Sequence, residues 1–339
     1  MKADTLSVSL EHGLEKYNFN SIDVFKLCMA FVVVAIHSNL ESSINCEYAR
    51  QILELIYNIA VPYFFMTSGF LLFRGQQFPL NLNGRIRVHK YLYRIGKMYL
   101  IWTLCYLPFT IWGFITDDIS AFNSVIIFIR NFLLVGENFY SWPLWYLLAL
   151  IVAVMLILVC SFFKLTRYHV LIISIIFFLL GIGIDYCNQN GLIPQLMDLY
   201  FKLFKSTRNG FFIGFIYVVL GMQIACTGRI VRNGILLGGL FLGILLSFFY
   251  PSIGSVLITY FLFQLILKMP MKFLREKYCI HLRIMSTIIY LVHMYWVVLW
   301  GYVLQENGYK VYILSLFSSI LLSLILLKYK DRYWFRSCF

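Results

Sequence analysis

Lys26 and His37 lie eleven residues apart inside one apolar run, Ile22-Asp23-Val24-Phe25-Lys26-Leu27-Cys28-Met29-Ala30-Phe31-Val32-Val33-Val34-Ala35-Ile36-His37. Eleven residues are close to three helical turns, so a helix carries both on one face, about 16 Å apart along its axis at ~1.5 Å per residue. Ionisable groups are costly in hydrocarbon and face a bundle interior or a water-filled cavity, so the shared face predicts a polar path. Moving an acyl group from a thioester to a hydroxyl needs a base for the hydroxyl proton, and histidine has the unperturbed pKa nearest to neutral. Lysine offers positive charge to an anion such as a phosphate. His293, in the middle of a later apolar run, is a second imidazole that requires a partner or a cavity. The plainer readings are that Lys26 snorkels or pairs with Asp23 at i,i+3, and that His37 is structural.

The elements that must position these residues are membrane helices. Of 339 residues, 61% are hydrophobic and 13% charged, far from the composition of a soluble domain. Apolar runs of the length that crosses a ~30 Å hydrocarbon layer recur along the chain. They predict an all-α polytopic membrane protein with about ten spans, near 22–40, 52–73, 93–115, 143–163, 168–186, 209–226, 230–250, 252–268, 283–303 and 309–328. The 122–135 stretch is too short for a span and, with Arg130, too polar; it reads as an interfacial or re-entrant helix. One membrane domain over 22–330 is expected, between tails at 1–21 and 331–339.

The net charge of +13 could suggest nucleic acid, but no motif supports that, and its placement points to topology. Assigning loops alternately puts 21 Lys and Arg on the side holding both termini and 6 on the other. That is the positive-inside pattern, so a multi-pass protein of the cell membrane with cytoplasmic termini is expected. The basic stretches 74–97 and 268–283 then face the cytoplasm, where anionic lipid head groups or an anionic cosubstrate meet them. The first twenty residues lack a basic n-region leading to a cleavage site, and no removable signal is expected. The eight cysteines show no metal-ligand spacing, and no metal is expected; Cys46 and Cys187 fall in outer loops and read as free thiols. The 116–142 and 185–208 segments bring acids, amides and aromatics to the outer face, a set suited to a polar acceptor or to ordinary solvated loops.

Several motifs converge on one family. Lys26-x10-His37, Val61-Pro62-Tyr63-Phe64-Phe65-Met66-Thr67-Ser68-Gly69-Phe70, Arg94-Ile95, Leu144-Trp145-Tyr146-Leu147 and Tyr290-Leu291-Val292-His293 occur in order at successive spans. Together they resemble the membrane-bound acyltransferase-3 family from about residue 22 to the end. Within it, Ile22-Asp23, the Val-Pro-Tyr-Phe-Phe-Met run and Thr207-Arg208-Asn209-Gly210-Phe211-Phe212 look like the membrane half of the membrane-bound serine racemases of glycopeptide resistance. Those proteins continue into a pyridoxal-phosphate domain; the chain stops at Phe339, and racemisation by that route is not expected.

The resemblance implies a single acyltransferase-3-like bundle and transfer of an acyl group, acetyl above all, from cytoplasmic acetyl-CoA or another acyl-CoA to an extracytoplasmic hydroxyl on a glycan or small molecule. His37 is then base or acyl carrier, with His293 a second catalytic candidate. Lys26, Arg85, Arg87, Lys90 and Arg94 would meet the donor's phosphates at the cytoplasmic mouth. Ser68 and Gly69 read as packing residues or as a helix break lining the donor's path. Trp145, Tyr146, Arg208 and Asn209 are the acceptor-binding candidates. The competing function is transport of a small amino acid such as serine, and the sequence does not set the oligomeric state.

Overall fold

The structure, a computed structural model, describes residues 20–228, 230–269, 271, 275–332, 335 and 338–339. Residues 1–19, nearly all of the expected N-terminal tail, lie outside the described residues, as do parts of the 268–283 and 331–339 segments. Every regular element among the described residues is helical. Hydrocarbon offers no partner to backbone N–H and C=O groups, and a helix satisfies them within its own segment. Nine helices among the described residues are long and apolar enough to cross a membrane. The expected span at 230–250 is a helix of only 15 residues, Asn233–Ser247, because Tyr250-Pro251 starts a new helix soon after it.

The chain divides into two compact units. The first comprises residues up to Gly75 and most of the chain from Gly221 onward. It holds α1 (Asn20–His37), α2 (Glu47–Phe73), the end of a later helix, Phe215–Thr227, then Asn233–Ser247, Pro251–Lys268, Glu276–Leu304 and Tyr309–Leu327. The second unit, Gln76–Leu220, holds α3 (Leu82–Thr116), α4 (Ala121–Arg130), α5 (Leu144–Phe162), α6 (Arg167–Gln189) and α7 (Pro194–Phe204). Continuing the numbering, α8 is Phe215–Thr227, α9 Asn233–Ser247, α10 Pro251–Lys268, α11 Glu276–Leu304 and α12 Tyr309–Leu327.

In the first unit α1 packs against α11 and α2, α11 against α12, and α10 against α2 and α9. Its core is the buried set Ile22, Ala30, Val33, Tyr63, Phe65, Phe70, Phe263, Ile288 and Leu291. On α12 the fully buried Ser315, Ser319 and Ser323 repeat every fourth residue, the small side chains that let two helices approach closely without water to drive them together. Pro62 sits inside α2 and denies Asn58 its intrahelical donor; the Ser255 hydroxyl of α10 donates to the Asn58 carbonyl instead, at 2.6 Å.

In the second unit α3 packs on α5, and a π-turn, Gly210–Gly214, packs on α5 and α6. α3 is 35 residues long and begins well before its apolar part. The basic stretch expected as a loop is therefore mostly its first turns, capped by Asn81, whose side chain accepts from the Gly84 N–H. α4 and a π-turn, Asn131–Val135, form the short segment expected as interfacial. α7 was not expected within the 185–208 segment; Leu196, Leu199 and Leu203 share one face at helical spacing, and Pro194 starts the helix at its first turn.

Gly221 in α8 lies against the backbone of α2: a Cβ there would come within 2.1 Å of the Met66 carbonyl oxygen and 2.8 Å of the Phe70 nitrogen. Backbone atoms cannot swing aside, so Gly221→Ala should lower stability by about 1–3 kcal/mol, the usual cost of overpacking. Gly96 in α3 has open space around it, and Gly96→Ala should be neutral or stabilise by ~0.5–1 kcal/mol. Thermal unfolding of both variants in the same detergent checks the contrast; equal melting temperatures would refute the close approach.

Candidate active site

α1 runs unbroken from Asn20 to His37, so Lys26 and His37 do share a face, and both are half-buried. His293 of α11 is fully buried, and its ring lies 5.1 Å from that of His37, centroid to centroid, at 33°. Tyr290, one turn earlier, stands 6.2 Å from His293 and 5.4 Å from Phe64 of α2. The two imidazoles thus meet in one unit, walled by aromatic rings from two further turns of helix.

The orientation of His293 follows from its neighbours. Its Nδ1 lies 3.2 Å from the Ile289 carbonyl, and a carbonyl can only accept, so Nδ1 carries the proton. Nε2 is then the basic nitrogen. It is buried with no hydrogen-bond partner among the described residues. Trp296 Nε1, Ser315 Oγ and Ser319 Oγ, on the same helix and its neighbour, are also buried without such partners. Arg50 Nε, Thr67 Oγ1, Thr259 Oγ1 and Gln264 Nε2 in the same unit are likewise without one; buried polar atoms are nearly always satisfied, so each calls for ordered water or a polar guest.

At the other end of α1, Asp23 is 2% exposed and is held by Arg283 of α11 through two parallel hydrogen bonds, Nε to Oδ1 at 2.9 Å and Nη2 to Oδ2 at 2.8 Å. This is the geometry in which a guanidinium fork and a carboxylate fit best. The expected i,i+3 partner for Lys26 is thus committed to another helix. Because α1 carries Asp23 and His37 while α11 carries Arg283 and His293, the ion pair fixes the axial register that brings the rings together. The two residues are 260 positions apart, and no local signal pairs them.

Other expected site residues separate by role. α2 continues helically through Ser68 and Gly69, with Gly69 buried, so no helix break forms there; the segment is where Gly221 of α8 packs. In the second unit, Arg87, Lys90 and Arg94 occupy one exposed face of α3 at i, i+3 and i+7, whereas Arg85 points away from them. Trp145 and Tyr146 are buried in the first turn of α5, and the Arg208 guanidinium lies 5.0 Å above the Trp145 ring. Asn209 is structural: its Oδ1 accepts from the Phe211 and Phe212 N–H groups, and its Nδ2 donates to Tyr200 Oη at 3.0 Å. Burial pushes the Tyr200 hydroxyl up to about 12, which keeps it a neutral partner for Asn209. Among the described residues no group of three or more His, Cys, Asp or Glu could hold a metal ion.

The family model of the acyltransferase domain, acyltransferase 3, matches residues 19–328. The chain belongs to the acyltransferase-3 family. It is 33% identical over 214 residues to an amino-acid racemase of Enterococcus faecalis and 30% identical over 208 residues to a serine/alanine racemase of Enterococcus gallinarum. These alignments cover 61% and 60% of this chain but only 29% and 28% of the relatives, so this acyltransferase-3 protein matches under a third of their length. No solved structure matches it. The histidine pair, the Ser-Gly-Phe packing point and the Trp145 turn of this family member all coincide with the motifs that carried the resemblance.

Removing Arg283 leaves a buried carboxylate without its counterion. Arg283→Ala should cost about 2 kcal/mol, less than the ~3–5 kcal/mol of a fully buried pair because half of the Arg283 side chain faces solvent. Asp23→Asn combined with Arg283→Ala should recover part of that loss, since no charge is then stranded. Unfolding curves of the two single variants and the double variant check the coupling; strict additivity would contradict it.

Proposed function

We propose that the protein transfers an acyl group, acetyl from acetyl-CoA being the favoured donor, from the cytoplasmic side of the cell membrane to a hydroxyl of an extracytoplasmic glycan or small molecule. The observation that carries this reading is the His37–His293 pair, with a basic nitrogen buried beside a half-buried imidazole at the end of the helix that also holds Lys26. In the direct form, the acceptor oxygen attacks the thioester carbonyl while an imidazole nitrogen takes the hydroxyl proton. The C–S bond then breaks and the departing thiolate is protonated, releasing CoA. In the stepwise form His37 first takes the acyl group as an acyl-imidazole and passes it to the same hydroxyl. The unpartnered polar atoms of α11 and α12 suit the amides of a pantetheine arm. Lys26 supplies charge for the phosphates, with both termini cytoplasmic, the orientation that the charge asymmetry supports.

A second reading, passage of a small amino acid such as serine, is favoured by the names of the relatives, one of them a serine/alanine racemase. Counterflow of labelled serine in proteoliposomes without CoA would support it and remove the need for a donor site.

His37→Ala should leave the protein folded and inserted but lower transfer on the order of 10²-fold or more, the range for loss of a general base. His37→Gln keeps the size and hydrogen-bonding capacity but cannot take a proton near neutral pH, so it should be equally inactive. Mass spectrometry of surface glycans from cells carrying each variant reads this out, and a glutamine variant with near-native acylation would return His37 to a structural role.

Lys26→Ala should raise the KM for the acyl donor more than it lowers kcat, and Lys26→Arg should keep much of the activity, because phosphate needs positive charge before exact geometry. Equal loss in both variants with donor affinity unchanged would refute the phosphate role.

A further inference from the structure

In the second unit four charged side chains, Arg130, Glu137, Lys205 and Arg208, lie around one short turn. Gly136 adopts φ +88°, and a Cβ on it would lie 2.7 Å from Trp145 Cα, so the turn is pressed onto the start of α5 and delivers Glu137 beside Trp145. Arg208 stacks over the same indole, and Lys205 ends α7 in a left-handed conformation, φ +60°. Buried amides hold the frame. Arg130 donates to Asn131 Oδ1 at 2.7 and 3.0 Å and to the Lys202 carbonyl at 2.9 Å. Asn131 Nδ2 donates to Asn138 Oδ1 at 3.1 Å, and the Asn138 N–H donates to Ser141 Oγ at 2.8 Å.

The charges within this frame do not balance. Burial raises the half-buried Glu137 carboxyl above the ordinary range, against the pull of Lys205 and Arg208. Burial also lowers Lys205, with Arg130 adding to the effect and Glu137 opposing it. Lys205 and Arg208 act on the Glu137 carboxylate and Arg130 on Lys205; with Asp185 counted, three cations stand against two carboxylates. The nearby Asp185 is engaged by the Thr207 hydroxyl at 2.6 Å. A positive excess held by a rigid frame favours an incoming anion, and a guanidinium already fixed over a ring presents its fork at little entropic cost.

We infer that Glu137, Lys205 and Arg208, framed by Arg130 and Trp145, form a binding site for an anionic group, a phosphate or a carboxylate, carried by the molecule that receives the acyl group. Glu137 is the internal counterion that the ligand's anion replaces. The identification of the ligand as the acceptor rests on the acyltransferase reading, whereas the binding itself can be measured without any transfer.

The test uses the full chain in phosphatidylcholine nanodiscs, titrated calorimetrically with glycerol 3-phosphate and with glycerol. Glycerol 3-phosphate should bind saturably, more weakly as salt rises, and glycerol should not bind. Lys205→Gln and Arg208→Gln should each weaken binding roughly tenfold or more, the worth of one charge-assisted hydrogen bond, and Arg208→Lys should keep only part of it, the charge without the fork or the stacking. Glu137→Gln should tighten binding, since it removes the competing carboxylate. Discs containing phosphatidylglycerol separate the two sources of the anion. A raised apparent Kd for soluble ligand there identifies a lipid head group, and an unchanged Kd identifies a soluble acceptor; both outcomes support an anion site. Equal binding of glycerol and its phosphate, weaker binding by Glu137→Gln, or unchanged binding by a normally melting Arg208→Gln would overturn it. His37→Ala should bind glycerol 3-phosphate normally, so failure here leaves the transfer chemistry to be judged separately.

Discussion

Hydrocarbon provides no hydrogen bonds, and every polar group inside the membrane must find its partner within the protein. That constraint explains most of the specific contacts in the first unit. Asp23 is buried with Arg283 matching both of its oxygens. His293 sits inside a span with the Ile289 carbonyl accepting from its Nδ1–H. The groups that the constraint leaves over are then informative. His293 Nε2, Trp296 Nε1 and two serine hydroxyls of α12 have no partner among the described residues, and they lie on the helices that carry or adjoin the buried imidazole. Arg50 Nε, Thr67 Oγ1, Thr259 Oγ1 and Gln264 Nε2, on α2 and α10, are buried in the same state.

The site was legible where the signal is local. The shared face of Lys26 and His37 follows from an eleven-residue spacing, and the unbroken α1 preserves it. The ordered motifs gave the family, and the match over residues 19–328 agrees. What local reading missed depends on tertiary partners. Arg283 stands at the edge of an apolar run and looks like a topology signal until its 260-residue contact with Asp23 is known. Asn209, beside Arg208 in a motif, reads as a ligand, but its amide is consumed in capping a π-turn and holding Tyr200. α7 was hidden because it is only 11 residues long and carries Asp198 and Lys202 opposite its leucines, and the 230–250 run was over-extended by a few residues at each end, with Arg232 and the Phe248-Phe249 turn outside the helix.

The order of the chain also separates two kinds of requirement. The first unit is assembled from sequence-distant segments, and the second is the single stretch Gln76–Leu220 that runs between them. The histidine pair and its register lock belong wholly to the first; the charged frame around Trp145 belongs wholly to the second.

The bend at Pro62 has a bearing on descent. Its freed Asn58 carbonyl is served by a hydroxyl from a helix nearly two hundred residues further along the chain. Once both are present, neither position is independent: a lineage that loses the hydroxyl strands a carbonyl in an apolar layer, while one that first replaces the proline restores the helix's own bond and makes the hydroxyl dispensable. The permitted order of change is thus one-way, proline before serine, and Ser255 is tethered to Pro62 through the Asn58 carbonyl that the proline frees and the hydroxyl serves.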